Sequence, residues 1–329
     1  MIAVSPNSDS LKVAAKLREI PGLDVHENVA LREHTRFGIG GTADLFATAC
    51  DAAAFAAAVQ CCRGGGISHY VLGDGSNVVV SERGFRGAVL RYAGRGIERD
   101  GSRVTAGAGG SLQALIDFAI AAGLRGIETL AGIPGSAGGA IYGNAGAYGH
   151  SISERVESVE FFDGNELREF DNAACEFDYR ESIFKRHKDW TILNARLAFE
   201  LGDGVTLRRA ADEIMAMRDT KFPPAMRCAG SIFKNLQVKD LPASAAAEVP
   251  VEAIRDGKVA SAYFLERVGA KGMRRGGIEI AAYHANLIYN AGGGTADDLR
   301  ALILELKQRV RERYGFEVEE EVQYVGEFE

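Results

Sequence analysis

The sequence has few residues of the types that build metal and disulfide sites. Its six histidines form no H-x-x-x-H or similar cluster, so we expect no metal site. The cysteines are odd in number, and no two have the C-x-x-C spacing of metal or redox sites, which predicts reduced thiols that mostly pack in the interior. The five cysteines are Cys50, Cys61, Cys62, Cys175 and Cys228.

Long apolar runs and an excess of positive charge are also missing. Nowhere do about 18 apolar residues follow one another, and the first twenty-two residues have no basic segment ahead of an apolar one. We therefore expect a cytoplasmic protein without a membrane partner. The net charge of −7 argues against a general affinity for nucleic acid. An anionic substrate would then need a local basic pocket.

Glycine is the residue that the sequence concentrates. The 40 glycines are densest in GIPGSAGGAIYGNAGAYG, residues 132–149. Glycine admits positive φ and lets other groups approach main-chain N–H donors, so this run is typical of a loop that holds phosphate. A buried turn where two backbones cross is the alternative. The candidate cofactor-binding positions are Gly132, Ile133, Pro134, Gly135, Ser136, Gly138, Gly139, Asn144 and Gly146.

A second glycine turn occurs in VLGDGSNVVV, residues 71–80, between two apolar runs. The pattern predicts a strand, a turn of phosphate-binding size and a second strand. Neither GK[ST] nor a helix pattern follows it, so it is not a P-loop, and the G-x-G-x-x-A match at 38–43 lacks the context of a Rossmann fingerprint. The candidate cofactor-binding positions here are Gly73, Asp74, Gly75, Ser76 and Asn77.

These two segments, with residues 71–80 ahead of residues 132–149, resemble the UDP-N-acetylenolpyruvylglucosamine reductase family. The resemblance covers roughly residues 30–326. The stretch from 180 to 221 is short and lacks the substrate-covering loop of one family branch, so it resembles the other branch, called type II. It implies non-covalent FAD, NADPH as co-substrate and a role in peptidoglycan precursor synthesis. The other segments that carry it are TRFGIGG (35–41), DYR (178–180), AGSIFKN (229–235), HAN (284–286) and EV (321–322).

The implied reaction is reduction of UDP-N-acetylglucosamine enolpyruvate to UDP-N-acetylmuramate, in which the site must donate a proton and stabilise negative charge. By resemblance Ser231 is the proton donor, Arg180 grips the carboxylate, and Glu321 polarises the enolpyruvyl group. Glu320 is adjacent, so the glutamate assignment is open by one position. A turn serine, a surface arginine and a solvated acidic face are the structural alternatives. The family usually has arginine where this chain has Gln323.

Basic and amide residues near Ser231 could bind the UDP diphosphate. His284 could line the same site, and a buried structural histidine is the alternative. The other candidate substrate-binding residues are Lys221, Arg227, Lys234 and Asn235.

Local patterns predict several helix starts. Asp51 caps an alanine-rich helix, Ser111 caps a helix over 112–122, and Thr206 caps a helix running to about Arg218. Thr295 and Asp298 form a capping box for a long helix to about Tyr314.

The predicted fold class is α+β. The resemblance implies a two-lobed FAD-binding domain of the PCMH or vanillyl-alcohol-oxidase type, followed by an α+β substrate-binding domain. An alanine- and proline-containing insertion is expected to form a surface element. The expected bounds are 1–27 for a lead-in helix, 28–203 for the FAD domain with lobes at about 28–92 and 93–203, 204–329 for the substrate domain, and about 236–258 for the insertion.

Two rival hypotheses remain open. An FAD-linked oxidase or dehydrogenase acting on another alcohol or sugar could share the fold, since fold alone does not fix function. A non-catalytic nucleotide-binding module would have no need for Ser231, Arg180 and Glu321. We expect a monomer whose partners are NADPH and the sugar nucleotide.

Overall fold

The computed structural model describes residues 8–328, and residues 1–7 of the predicted lead-in lie outside them. Its main chain forms two compact units, each assembled from separate stretches. Unit 1 contains the chain up to Val29 together with Ala43–Gly75 and Arg86–Pro223. Unit 2 contains Ala30–Thr42, Ser76–Phe85 and the chain from Pro224 onward. No single cut in the sequence separates the two units.

The helices begin largely where the capping pattern predicts. The side chains of Asp51 and Ser111 accept hydrogen bonds from first-turn N–H groups, and Thr295 and Asp298 form the reciprocal capping box. These three predictions are confirmed. The helices are α1 (Ser8–Arg18), α2 (Ala52–Gly64), α3 (Leu112–Ala121), α4 (Ala137–Tyr142), α5 (Ile183–Arg186), α6 (Gly204–Lys221), α7 (Ala243–Ala247), α8 (Ser261–Arg267) and α9 (Ala296–Tyr314).

The predicted cap of α6 is wrong. The helix begins at Gly204, and its cap is Asp203, whose carboxylate accepts bonds from Thr206 N at 2.8 Å and Thr206 Oγ1 at 2.6 Å. These bonds, led by the one from the Thr206 hydroxyl, hold the pKa of Asp203 below its ordinary value. Leu207 and Ala211 of α6 are buried in the core of unit 1.

The strands are mostly short, and those of unit 2 have only two or three residues. They are β1 (Leu23–Ala30), β2 (Thr42–Ala49), β3 (His69–Val71), β4 (Val78–Val80), β5 (Phe85–Tyr92), β6 (Ile97–Asp100), β7 (Arg103–Gly107), β8 (Leu124–Arg125), β9 (Gly146–Ala147), β10 (His150–Ser151), β11 (Val156–Phe162), β12 (Leu167–Asp171), β13 (Thr191–Ala198), β14 (Glu200–Leu201), β15 (Leu236–Gln237), β16 (Ile254–Arg255), β17 (Lys258–Val259), β18 (Arg274–Arg275), β19 (Ile278–Ile280), β20 (Ile288–Asn290) and β21 (Gln323–Val325).

Unit 1 is built on two sheets. The first has the order β1-β2-β5-β3, with β3 parallel to β5, and the second has the order β12-β11-β13-β7-β6 and is antiparallel throughout. Helices α1 and α2 bury Leu17 and Phe55 in the core that includes Leu45 and Leu90 of the first sheet. Helices α3 and α4 bury Ile116 and other side chains in the core of the second. Apolar helix faces thus cover both sheets.

Unit 2 packs around α9, which buries Leu302 and Leu306. Its sheets have the orders β15-β17-β16 and β18-β19-β20, and β21 runs parallel to β4 with Tyr324 opposite Val79. The two strands that flank the glycine turn of residues 71–80 therefore have different partners, since β3 pairs with β5. Mixed helices and sheets in both units confirm the α+β class.

The sequence predicts that the segment 236–258 is a surface element, but in the structure part of it is buried in the core of unit 2. Ala245 of α7 is 1% exposed and Val249 is 7% exposed, and both belong to the core of unit 2. The sequence does not reveal these core residues, because prolines and two-residue strands give neither the helical nor the alternating spacing of apolar residues.

Among the described helices, none is both long and apolar enough to cross a membrane. Within residues 8–328, no three histidine, cysteine or acidic side chains gather in a way that could hold a metal ion.

Candidate active site

The two glycine segments meet in unit 1. A Cβ atom added to Gly73 would lie 3.2 Å from Ser136 Oγ, and one added to Gly139 would lie 3.3 Å from the same atom. Ser136 is the cap of α4, and its hydroxyl accepts a bond from Gly139 N at 3.1 Å. The turn after β3 and the start of α4 therefore form one continuous surface.

The backbone of this surface needs glycine. Gly75, Gly132 and Gly135 have φ values of +63°, +74° and +127°, which residues with side chains rarely adopt. A Cβ at Gly138 would lie 2.8 Å from Ala108 Cβ, so this glycine also allows close packing of α4.

Ile133 and Pro134 are half-buried between these glycines. Ile133 packs against the core of unit 1. The N–H of Gly132 donates to Gln113 Oε1 at 2.9 Å, and a Cβ at Gly132 would lie 3.2 Å from Arg218 Cδ. The beginning of the glycine stretch is thus anchored to helices α3 and α6.

Asp74 lies in the turn after β3, where partial burial raises the pKa of its carboxyl and the positive charge of Arg91 opposes that shift. Arg91 follows Leu90, whose carbonyl accepts from Leu72 N at 2.9 Å. The Arg91 guanidinium lies 5.0 Å from the centre of the Phe46 ring. Sequence analysis missed Arg91, because an arginine at the end of an apolar run carries no local signal of its partner.

The central glycine stretch is bonded to the DYR segment. Asn144 donates to the Asp178 carbonyl at 2.8 Å and accepts from Ser153 N at 3.3 Å, so both ends of its amide contact protein groups. Arg180 Nη2 donates to the Gly146 carbonyl at 2.9 Å. Arg180 has a φ of +59°, and such sparsely populated conformations cluster at functional sites. Unit 1 therefore brings three candidate residues from two motifs together.

Ser231 lies in unit 2 on an extended segment with a neighbour on each side. Ser231 pairs with Leu287, and Phe233 pairs with Glu320. On the side of Glu320, Glu321 N also donates to the Ile232 carbonyl at 2.8 Å. The segments that carry Ser231 and Glu321 are therefore directly hydrogen-bonded to each other.

The two adjacent glutamates have different surroundings. The Glu320 carboxylate accepts from Lys307 Nζ at 3.0 Å and from the Tyr324 hydroxyl, so it is engaged in a network with α9. The main chain of Glu321 is held by the Ile232 bond and by Asn77, whose Nδ2 donates to the Glu321 carbonyl at 2.9 Å. Half-buried Ser76 precedes Asn77 in the same unit. The Glu320 carboxylate is thus bonded to α9 and Tyr324, and Glu321 stays the predicted candidate.

Most candidate substrate-binding residues lie in unit 2. Lys234 is 8% exposed, and its Nζ lies 2.5 Å from Glu319 Oε1, while Asn235 is exposed. A Cβ at Gly38 of the TRFGIGG segment would lie 3.2 Å from Arg227 Cδ, which places this motif beside Arg227.

His284 is half-buried, and its Nδ1 accepts from Asn286 N at 3.3 Å. A nitrogen that accepts carries no proton, so in the neutral ring Nε2 would be the donor.

Lys221 instead belongs to unit 1, at the end of α6, with its Nζ 4.9 Å from the centre of the Phe222 ring. Burial, helped by the charge of Arg218, lowers the pKa of Lys221.

Comparison with known proteins identifies the class of protein. Residues 43–167 match the FAD-binding domain family, so the chain is a flavoprotein with its FAD-binding domain in the N-terminal half. Residues 222–325 match a second family, described as the C-terminal domain of UDP-N-acetylenolpyruvoylglucosamine reductase.

Full-length relatives agree with both matches. The chain is 59% identical over 311 residues to UDP-N-acetylenolpyruvoylglucosamine reductase of Solibacter usitatus, covering 94% of this chain and all of the relative. It is 36% identical over 302 residues to the enzyme of that name from Heliobacterium modesticaldum, covering 90% and 89%. The crystal structure of UDP-N-acetylenolpyruvylglucosamine reductase from Thermus caldophilus superposes with a TM-score of 0.71, at 29% identity, over 92% of this chain and all of the other.

The chain belongs to the UDP-N-acetylenolpyruvoylglucosamine reductase family. This confirms the expected family, and with it FAD as cofactor and NADPH as co-substrate. The joined glycine loops fit an FAD pyrophosphate, since the added Cβ at Gly73 would fill the space beside Ser136 and glycine leaves main-chain donors accessible.

Proposed function

We propose that the chain reduces UDP-N-acetylenolpyruvoylglucosamine to UDP-N-acetylmuramate with NADPH, in the cytoplasmic synthesis of peptidoglycan precursors, and that it acts as a monomer. The observation that carries the proposal is the 2.8 Å bond between Glu321 N and the Ile232 carbonyl, which joins the segments of two candidate catalytic residues. FAD, when bound, supplies the hydride. The glycine loops of unit 1 are its proposed binding surface.

Ser231 is the proposed proton donor. Addition of hydride to the enolpyruvyl group places negative charge on the neighbouring carbon and its carboxylate, and a hydroxyl within hydrogen-bond reach can neutralise that charge. Ser231 is half-buried on a segment bonded on both sides, which restricts the directions its hydroxyl can take. Glu321 is proposed to polarise the same group.

Arg180 is proposed to grip the substrate carboxylate through two parallel N–H bonds. Its left-handed main chain sets the start of the side chain, and the bond from Nη2 to the Gly146 carbonyl holds the guanidinium end. The UDP diphosphate would be bound by the basic and amide residues, with His284 lining the site. These are Lys221, Arg227, Lys234 and Asn235.

A visible spectrum followed by anaerobic half-reactions tests the proposal. The purified protein should be yellow, be bleached by NADPH, and be reoxidised by UDP-N-acetylenolpyruvoylglucosamine. Bound FAD that this substrate never reoxidises would instead favour an oxidase or dehydrogenase of another alcohol or sugar. A colourless protein that FAD cannot reconstitute would exclude all flavin chemistry.

Ser231→Ala separates the two half-reactions. The variant should keep FAD and be reduced by NADPH at nearly the wild-type rate, whereas reoxidation by substrate should fall by ~10²–10⁴, the usual effect of losing a general acid. Ser231→Cys should recover part of the rate, because a thiol can also deliver a proton. Equal slowing of both half-reactions would contradict the assignment.

A further inference from the structure

Asn286 lies in the interior of unit 2 and is 2% exposed. Its side chain forms two hydrogen bonds with one residue of the serine segment: Phe233 N donates to Oδ1 at 2.9 Å, and Nδ2 donates to the Phe233 carbonyl at 2.8 Å. Its main-chain carbonyl accepts from Ile232 N at 3.1 Å. Three bonds therefore run from one asparagine to the two residues that follow Ser231.

This arrangement extends a strand pairing by means of a side chain. In antiparallel pairs, opposed residues exchange N–H and C=O bonds, and a carboxamide offers the same donor and acceptor as a peptide group. On the other side of the segment, Glu321 N donates to Ile232 O and Lys234 N donates to Glu319 O. The N–H and C=O of Phe233 are thus left for Asn286, which satisfies both.

We propose that Asn286 is a positioning residue for Ser231. Its amide holds the main chain of residues 232–233 and thereby fixes the direction of the serine hydroxyl, without touching the substrate. The proposal rests on the proposed role of Ser231 as proton donor. Because a displacement of about 1 Å can lower a rate by about 10²-fold, loss of this anchor should weaken proton transfer selectively.

A double-mutant cycle tests the proposal in the intact, FAD-loaded chain. Asn286→Ala, Ser231→Ala and the double variant are compared by flavin occupancy, NADPH reduction and reoxidation by substrate. Asn286→Ala should keep flavin and reduction but slow reoxidation by up to about 10²-fold. In the Ser231→Ala background it should slow reoxidation little further, because residues that act together are non-additive.

Asn290 provides a matched control. It is 5% exposed, its Oδ1 accepts from Gly292 N and Gly294 N, and its Nδ2 donates to the Phe37 carbonyl. Its side chain thus makes three bonds, against two from the Asn286 side chain, and all of them lie outside residues 231–233. Asn290→Ala should lower Tm by an amount similar to Asn286→Ala, but its effect on reoxidation should add to that of Ser231→Ala.

Two results of the double-mutant cycle would contradict the positioning role of Asn286. A slowed Ser231→Ala enzyme combined with an additive Asn286→Ala effect would overturn the positioning role alone. An unaffected Ser231→Ala enzyme would overturn the proton-donor assignment and this proposal with it. If Asn286→Ala does not fold, the same cycle is run with Asn286→Gln, which keeps the amide donor and acceptor and displaces both by one methylene group.

Discussion

Arg180 combines a proposed chemical role with an unfavourable main chain, since its φ is +59° and the left-handed conformation costs a residue with a side chain roughly 1–2 kcal/mol. Arg180→Gly should relieve this strain and leave Tm close to that of the wild type. Loss of the guanidinium should slow reoxidation by substrate by about 10²–10³, as for other transition-state donors. Half-reaction rates and a thermal melt measure both effects.

The control is Glu176→Gly, at a residue of the same loop with a φ of +46°. It should also leave Tm close to that of the wild type, and it should leave both half-reactions unchanged. If Arg180→Gly retained full reoxidation as well, Arg180 would be structural.

Burial of two thiols gives a prediction about which cysteines react with an alkylating reagent. Burial raises the pKa of Cys62 and Cys175 to about 12, while Cys50 is exposed. Because the thiolate is the reactive form, iodoacetamide at about pH 8 should label Cys50 and spare the other two. Mass spectrometry of the labelled peptides, with a urea-unfolded control, measures this. Equal labelling of Cys62 and Cys50 in the folded protein would refute it.

The same shifts have a consequence for stability. The two pKa values are higher in the folded chain, so these thiols favour folding fully below their unfolded pKa near 9.0. That stabilisation is lost as pH rises from about 9 towards 12. The free energy of unfolding should fall across this window.

At the residue scale, the sequence patterns do not show which groups the selected side chains contact. Asn77 and Asn144 stood out as amides among glycines and were expected to meet the cofactor. Their Nδ2 atoms donate to the carbonyls of Glu321 and Asp178, 244 and 34 positions away. A local pattern contains no information about such distant partners.

Secondary structure was predictable where its determinants are local. Asp51 and Ser111 were recognised as caps because the bond that defines a cap spans three residues. Thr206 was predicted as a cap because the turn of residues 201–204 was expected to precede the helix, and only the structure shows that the helix already starts at Gly204. The two-residue strands of unit 2 have too few positions to show alternation.

The turn of residues 73–77 supports a test of the glycine surface. Gly75→Val places a branched side chain on a main chain with φ of +63° and should lose flavin. Gly101 is the matched control, because its φ is +61° and no atom lies within 4 Å of an added Cβ. Gly101→Val therefore adds similar main-chain strain, while its added Cβ contacts no other group. The absorbance ratio of flavin to protein measures the difference, and equal flavin contents would assign Gly75 a structural role only.

At the scale of the molecule, the segment 236–258 was expected to be a surface element near the substrate entrance, so that its replacement would alter mainly the KM for the sugar nucleotide. Since Ala245 and Val249 are buried, replacing residues 238–257 by a glycine-serine link should destabilise the protein by about 2–5 kcal/mol, typical of lost core side chains. Thermal unfolding measures the loss, and Val251→Ser is the control because Val251 is 83% exposed. An unchanged Tm with only the sugar-nucleotide KM altered would restore the original expectation.

Consecutive domains were the natural prediction because composition and pattern are taken along the chain. The structure instead assigns Ala30–Thr42 and Ser76–Phe85 to unit 2. The reason is physical: Phe37, Ile39 and Val79 are apolar side chains whose buried partners come from the chain after Pro224. Such pairing over hundreds of residues leaves no mark in local periodicity.

Truncation tests whether these stretches of unit 2 depend on the chain after Pro223. A chain ending at Pro223 contains all the proposed FAD-binding residues, yet β4 would lose β21 and three side chains, exposed by at most 3% in the whole protein, would face water. These are Phe37, Ile39 and Val79. Exposing each costs about 1.5–3 kcal/mol, a large share of the ~5–15 kcal/mol that stabilises a domain.

We therefore expect fragment 1–223 to bind no flavin and to aggregate or unfold without cooperativity. Co-expression with fragment 224–329 should restore both flavin and a cooperative melt, because the missing strand and core are supplied in trans. Flavin absorbance and calorimetry of the two preparations measure this. A cooperative, yellow fragment 1–223 would show that residues 30–42 and 76–85 do not need the chain after Pro223.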